Sequence, residues 1–338
     1  MSDASFELSP RLFFDTVNAY QRTAVLRAAI GFDLFSTIAS GTGTVEELAR
    51  VCNASDRGMR ILCDYLVVVG FLAKDGQRYK LQPEAAKFLD RRSKEYIGQA
   101  IEFLLSPILI EAFSDVTSAV RNGTTALPNG GIIAPNHPVW ISFAHAMGPM
   151  ATVSAGLLAK LIDPDADRML RILDIAAGHG MFGIEFAQRN PKAEVTALDW
   201  PNVLEVAKAN AEAAGVAERY LTKPGSAFET EYGSGYDVIL LANFLHHFDP
   251  PTCATVLRKV HRALADGGIA VTVEFVLNED RVSPQDIADF SMLMLCSTPG
   301  GNAYTFQELE SMFSSAGFSS SEIIPLGSGF EQVVISRN

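Results

Sequence analysis

From about residue 169 onward the chain alternates strand-like and helix-like segments. Strand patterns at 169–175, 194–198, 236–242 and 269–277 are separated by helical patterns that open at Phe182, Asn202 and Thr252. A strand–helix–strand alternation of this kind predicts an α/β, doubly wound, Rossmann-like sheet that is mostly parallel and binds its ligands beyond the carboxyl ends of the strands. Downstream, the capping box Thr305-Phe-Gln-Glu308 opens a further helix. Two short strands at 321–325 and 332–335, joined through Gly327 and Gly329, then predict an antiparallel, direction-reversing hairpin at the sheet edge.

The first part of the chain follows another pattern. Between positions 12 and 35, Phe13, Val17, Tyr20, Ala24 and Ala28 recur at helical spacing, and Gly31 closes the expected helix. Thr44-Val-Glu-Glu47 is a capping box, Asn53 and Ala54 turn the chain, and Ser55 caps a second helix running to Gly70. The stretch 71–81, with Asp75-Gly76 at its centre, predicts a β-hairpin with a type I′ turn. Helix, turn, helix, hairpin is a winged helix, so the expected division is a helical winged-helix domain at 1–98 and, at 99–338, a helical connection leading into the α/β domain. The connection, over 96–160, reads as helices broken at Leu127-Pro-Asn-Gly-Gly131 and before Pro138.

Charge narrows the partners. The chain of 338 residues carries 27 Lys+Arg against 39 Asp+Glu, a net charge of −12. Residues 1–95 are nearly balanced, with 13 basic and 12 acidic side chains, so the negative charge is concentrated in the remainder. Such a surface repels a phosphate backbone. After Arg57 and Arg60 the second helix of the winged helix becomes Ile-Leu-Cys-Asp-Tyr-Leu-Val-Val-Val, too apolar to lie in a DNA groove, so no nucleic-acid partner is expected. The uninterrupted apolar runs near 65–73 and 103–110 fall short of a bilayer span, and the acidic Asp3, Glu7 and Asp15 do not suit a secretory leader. The expectation is a soluble, cytoplasmic protein with no membrane partner. Cys52, Cys63, Cys253 and Cys296 form no C-x-x-C pair and read as buried thiols.

The chemistry-bearing residues cluster where the strands end. Leu173-Asp174-Ile-Ala176-Ala-Gly178-His-Gly180-Met-Phe-Gly183 satisfies G-x-G-x-x-G after a strand and before a helix. Asp199, 21 residues past Gly178, ends the next strand where an acid can accept hydrogen bonds from ribose hydroxyls. These features alone fit NAD as well as another adenosine cofactor. Asp174 separates the two, because a pyrophosphate on the helix N-terminus is incompatible with a carboxylate in that turn, whereas the ammonium and sulfonium of S-adenosylmethionine suit it. Here the chain resembles the class I S-adenosylmethionine-dependent methyltransferases, with Ala176 where their first glycine stands. The resemblance implies a cofactor site of Asp174, Ala176, Gly178, Gly180, Asp199, Trp200, Ser226, Ala227, Phe228 and Asn243. Ser226 takes the place of an acidic residue that reads the adenine amine, and Phe228 would cover the ring.

The strand at 236–242 runs into Asn243-Phe-Leu245-His246-His247-Phe248, which carries two imidazoles beyond the sheet edge. A positioned His is a suitable general base for a phenolic hydroxyl at neutral pH. This segment, with Cys253 beyond it, resembles the L-H-D-W segment of plant and bacterial small-molecule O-methyltransferases of the caffeate, hydroxyindole and hydroxyneurosporene type, which carry an N-terminal winged-helix dimerisation domain. The resemblance implies His246 as base and Glu274 as the carboxylate that orients it. The family's second carboxylate falls on Ala303, and His247 stands where the family has Asp, with a solvent-facing or supporting position expected. Phe143, Met147, Met150 and Met292 match positions lining the acceptor site. No metal is expected, since His246, His247 and Asp249 are too close in sequence to converge on one ion. The function so implied is a homodimeric O-methyltransferase acting on a hydroxyl of a small aromatic molecule, with S-adenosylmethionine as donor. Methylation at nitrogen or carbon is a related reading. Ala176, Ser226 and Ala303 motivate a third, a protein that binds S-adenosylmethionine without transferring the methyl group, as regulator or rearrangement catalyst.

Overall fold

A computed structural model describes residues 9–163, 165–327, 329 and 331–338. The chain separates into two compact units, Met1–Ile101 and Glu102–Asn338.

In the first unit, helices α1 (Arg11–Val17), α2 (Ala19–Gly31) and α3 (Leu34–Ala39) replace the single helix expected over 12–35. Asn18 separates α1 from α2, and Asp33 adopts a left-handed φ of 52° before α3. The two predicted caps are formed: Thr44 and Glu47 close a capping box on α4 (Val45–Val51), and Ser55 accepts the Gly58 N–H at the start of α5 (Asp56–Val68). Strands β1 (Leu72–Asp75) and β2 (Arg78–Leu81) pair Asp75 with Arg78, so the turn is Gly76-Gln77, one residue later than expected. Only Gly76 has positive φ, which excludes type I′, a turn that needs it at both central residues. Helix α6 (Pro83–Phe88) follows. Leu34, Phe35, Leu48, Met59, Leu66 and Tyr79 form the core of this unit.

The second unit begins with short helices, α7 (Ile101–Leu104), α8 (Pro107–Ala112) and α9 (Val116–Asn122), then the long α10 (Val139–Ile162). By length and composition α10 is apolar enough to cross a bilayer, a feature that a reading of uninterrupted runs misses because Ser142 and His145 break the run. Here α10 packs on α11 (Met181–Arg189) and α12 (Pro201–Ala213), with Ala155, Leu158 and Ala159 fully buried.

The sheet has seven strands, β3 (Leu170–Ile175), β4 (Ala193–Asp199), β5 (Tyr220–Pro224), β6 (Tyr236–Ala242), β7 (Leu264–Phe275), β8 (Ser320–Pro325) and β9 (Glu331–Arg337), in the order β5-β4-β3-β6-β7-β9-β8. The first five are parallel, while β9 runs antiparallel to β7 and to β8. Strand β5 was not anticipated; it is short, half exposed and ends on Pro224, so it lacks the apolar alternation that marks its neighbours. Helices α13 (Pro250–Ala263), α14 (Gln285–Ser297) and α15 (Phe306–Ala316) complete the unit, and the Thr305–Glu308 capping box on α15 is formed. The strand order reverses between β3 and β6, which sets the loop after Ile175 beside the loop after Ala242.

Candidate active site

A cavity of about 860 Å³ opens over the carboxyl ends of β3, β4, β6 and β7. The geometry of the glycine loop follows from close approach. Gly180 has a φ of 78°, and a Cβ there would lie 2.5 Å from the Tyr220 hydroxyl. A Cβ on Gly183 would lie 2.7 Å from Val195 Cγ1 and 3.1 Å from Asp174 Oδ2, so this position brings α11 against β4 and Asp174. Ala176 holds a φ of 56°, the left-handed conformation that glycine adopts without cost.

Asp174 is buried and accepts the Gly183 N–H at 3.2 Å. Asp199 accepts the Gly178 N–H at 2.8 Å and the Trp200 N–H at 2.6 Å. Burial raises Asp174 to about 7, with the nearby Asp199 charge adding to it, and burial raises Asp199 to about 6. Asp174, Asp199, Glu229 and Glu331 all line the cavity, and among the described residues no Lys or Arg does. A buried and a half-buried carboxylate, both held above their ordinary range with no cationic side chain among the described lining residues, form a site that a cation completes.

The turn after β6 carries the second group of candidate side chains. Asn243 has a φ of 52°, donates from Nδ2 to Glu331 Oε1 at 3.2 Å, and keeps a buried Oδ1 without a described partner. Beyond it, Glu274 Oε1 accepts the backbone N–H groups of Leu245 (2.9 Å) and His246 (3.3 Å), while Oε2 lies 2.6 Å from His246 Nδ1. One carboxylate thus fixes both the turn and the ring it carries. Glu274 stands behind His246, outside the cavity lining. Ala303 is fully buried with Leu277 and Ile287 in an apolar cluster, and the Phe290 ring meets His246 edge-on at 4.9 Å. His246 is therefore held by a carboxylate at Nδ1 and by an aromatic ring beside it.

Of the other residues named from sequence, Ala176, Gly178, Trp200, Ser226, Ala227, Phe228, Asn243, Phe143, Met147 and Met150 line the cavity, whereas Gly180 does not and packs instead against Tyr220 and Ala207. Met292 does not reach it: this side chain is exposed, and Phe290, Leu293 and Met294 of the same helix face the cavity instead. A helix turns by about 100° per residue, so a neighbour in sequence points elsewhere. His247 is not solvent-facing. It is buried, lines the cavity and meets Trp140 edge-on at 5.1 Å.

Other cavity residues were not anticipated, His179, Ser154 and Glu331 among them. His179 is buried, stacks on Phe143 and accepts the Met181 N–H through Nδ1; burial lowers it to about 4, so it is neutral. Its place inside the glycine motif was a usable signal. Ser154 on α10 donates to Glu331 on β9, and nothing local in either segment marks them, since they meet only through the sheet order.

Comparison with known proteins gives consistent matches. The O-methyltransferase domain model matches residues 131–319, and the O-methyltransferase dimerisation domain model matches residues 14–91. The 3-hydroxy-5-methyl-1-naphthoate 3-O-methyltransferase of Streptomyces sahachiroi is 29% identical over 92% of this chain and 90% of its own length. A crystal structure from Nostoc punctiforme with an O-methyltransferase designation is 51% identical, with a TM-score of 0.96 over 98% of this chain and 100% of that one. Human N-acetylserotonin methyltransferase, solved with S-adenosylmethionine, shares the fold at 22% identity, with a TM-score of 0.85 over 100% of this chain and 99% of that one.

Proposed function

The chain belongs to the O-methyltransferase family, as an S-adenosylmethionine-dependent enzyme acting on a small molecule, and from that premise we propose that it methylates an aromatic hydroxyl with His246 as general base. The observation that carries this reading is the His246 Nδ1 to Glu274 Oε2 contact of 2.6 Å, on a ring that lines the cavity.

S-adenosylmethionine, when bound, supplies a methyl group on a cationic sulfur that departs as a neutral thioether. The cavity suits that group because its charged side chains are carboxylates. Asp199 would hold the ribose, Ser226 and Phe228 the adenine, Asp174 the cationic end, and the backbone at Gly178 allows close approach. The rest of the work falls to the turn after β6. With its Nδ1–H donated to Glu274, His246 presents Nε2 as an acceptor and takes the proton of the attacking hydroxyl as the new oxygen–carbon bond forms. Glu274 stabilises the resulting imidazolium, which later releases its proton to water. Trp140, Phe143, Met147 and Met150 give the acceptor an apolar bed, a surface suited to a flat ring. The naphthoate hydroxyl named for the Streptomyces relative supports an aromatic acceptor.

We also propose that the N-terminal unit forms a homodimer, supported by the dimerisation-domain match and by the exposed Leu12, Phe13, Val17 and Tyr20. The test of the base is His246→Ala, for which methyl transfer is expected to fall by about 100-fold or more with S-adenosylmethionine affinity unchanged. Retention of full turnover in that variant would refute the assignment.

A further inference from the structure

Beside His246 the cavity holds another imidazole, His247, that the proton transfer does not use; His179 lies in the glycine loop. His246 and His247 are adjacent in sequence, yet both rings line the cavity, with centroids 4.1 Å apart. Each is anchored through Nδ1. His246 is tied to Glu274 at 2.6 Å, and His247 to the carbonyl oxygen of Phe244 at 3.2 Å. A carbonyl can only accept, so His247 Nδ1 carries the proton and its Nε2 is an acceptor. Neither Nε2 has a described protein partner among the hydrogen bonds of this site.

His247 cannot share the base's role. Its surroundings are apolar, Trp140 on one side and Phe248 on another, with His246 the nearest titratable ring. Burial and that neighbouring ring hold it well below the usual imidazole range, so it stays neutral and can only receive a hydrogen bond. In the open cavity solvent can satisfy this acceptor, and a bound molecule that displaces the solvent must supply a donor in its place.

We propose that His247 is a specificity-determining residue that reads a second hydrogen-bond donor on the ring atom next to the hydroxyl delivered to His246. The preferred acceptor is then a vicinal aromatic diol or an ortho-aminophenol. Two hydrogen bonds of about 2.8 Å can run from neighbouring ring substituents to imidazoles this close together. An acceptor with a single hydroxyl leaves His247 Nε2 desolvated and unpaired, and sites built to hydrogen-bond a substrate group discriminate strongly against analogues that lack it. This inference rests on the proposed placement of the reacting hydroxyl at His246, and its test is chosen to be separate from catalysis.

The experiment is calorimetric binding, in the presence of saturating S-adenosylhomocysteine, of 2,3-dihydroxynaphthalene, 2,7-dihydroxynaphthalene and 2-naphthol to the full-length protein. Because no methyl group is transferred, the turnover of His246→Ala, which tests the base, does not enter. The wild type is expected to bind the 2,3-diol at least about tenfold more tightly than the other two. In His247→Phe, which keeps an aromatic ring against Trp140, the three affinities should converge, whereas His247→Gln, which keeps an acceptor, should restore part of the preference. Unchanged binding of S-adenosylhomocysteine and an unchanged Tm certify that each variant is folded. Equal affinities in the wild type, no detectable binding of the 2,3-diol, or a preference that survives in His247→Phe would each overturn the proposal.

Discussion

The carboxylates of Asp174 and Asp199 make the pH response of the protein a property of single residues. Asp174, raised to about 7, and Asp199, raised to about 6, lie above the unfolded value near 3.9. Their protonated forms favour the fold, so the stability they contribute is complete below about pH 4 and is lost as pH rises through about 6 and 7. Ligand-free Asp174→Asn should therefore lose less stability than the wild type between about pH 5 and pH 8, as read by urea unfolding. Across the same window the wild type should bind S-adenosylmethionine more tightly as pH rises, because a cation prefers the ionised site; a flat profile would contradict that reading of Asp174. Ala176 offers a second test. At a φ of 56° it holds a conformation that costs an L-residue about 1–2 kcal/mol, and glycine returns part of that gain as unfolded-state entropy. Ala176→Gly should stabilise the protein by about 0.5–1 kcal/mol in equilibrium unfolding.

At the scale of the element, His246, the proposed base, is positioned by how β6, β7 and α14 meet. Glu274, near the end of β7, reaches the turn after β6 because those two strands pair in parallel, and Phe290 on α14 takes the flank beside the ring. That flank is apolar throughout, with Ala303 fully buried. Ala303→Glu should therefore cost about 2–4 kcal/mol of stability in urea rather than improve the site, because Glu274 already accepts the Nδ1–H hydrogen bond and a second carboxylate would be buried without a partner. Wild-type stability in that variant would show that the flank admits a charge. The Phe290, Leu293, Met294 face of α14 explains why Met292 was misplaced: the helix was legible in the sequence, but its rotation about its own axis was not.

The whole molecule carries its negative charge mainly outside the first 95 residues, while its first helices leave large apolar side chains in solvent, Leu12 at 80% and Tyr20 at 68%. If the proposed dimer forms through that surface, Leu12→Ser combined with Tyr20→Ser should shift sedimentation toward a monomer without changing S-adenosylmethionine affinity, because the proposed cofactor residues lie in the other unit. A wild type that sediments as a monomer at all concentrations would count against the dimer.

Where local chemistry sets conformation, the sequence was enough. The capping boxes at Thr44 and Thr305 and the alternation of strands and helices after residue 169 depend on residues a few positions apart, and the caps are formed as read. Asp174, Asp199 and His246 were legible for the same reason, since an acid or imidazole at a strand end faces the ligand side of a parallel sheet. What the sequence could not supply was the far wall of the site. Edge strand β5 had too little apolar patterning to announce itself, and the turn at Gly76 was read one residue early because either register keeps a glycine in it. Glu331 meets Asn243 across 88 residues of chain, and Ser154 across 177, only because β9 inserts between β7 and β8. The burial of His247 against Trp140 depends in turn on α10 lying over the turn after β6. Local hydrogen bonding and periodicity determine which groups stand at the ends of the strands; strand order and helix rotation, set by burial over the entire core, decide which of them share one cavity.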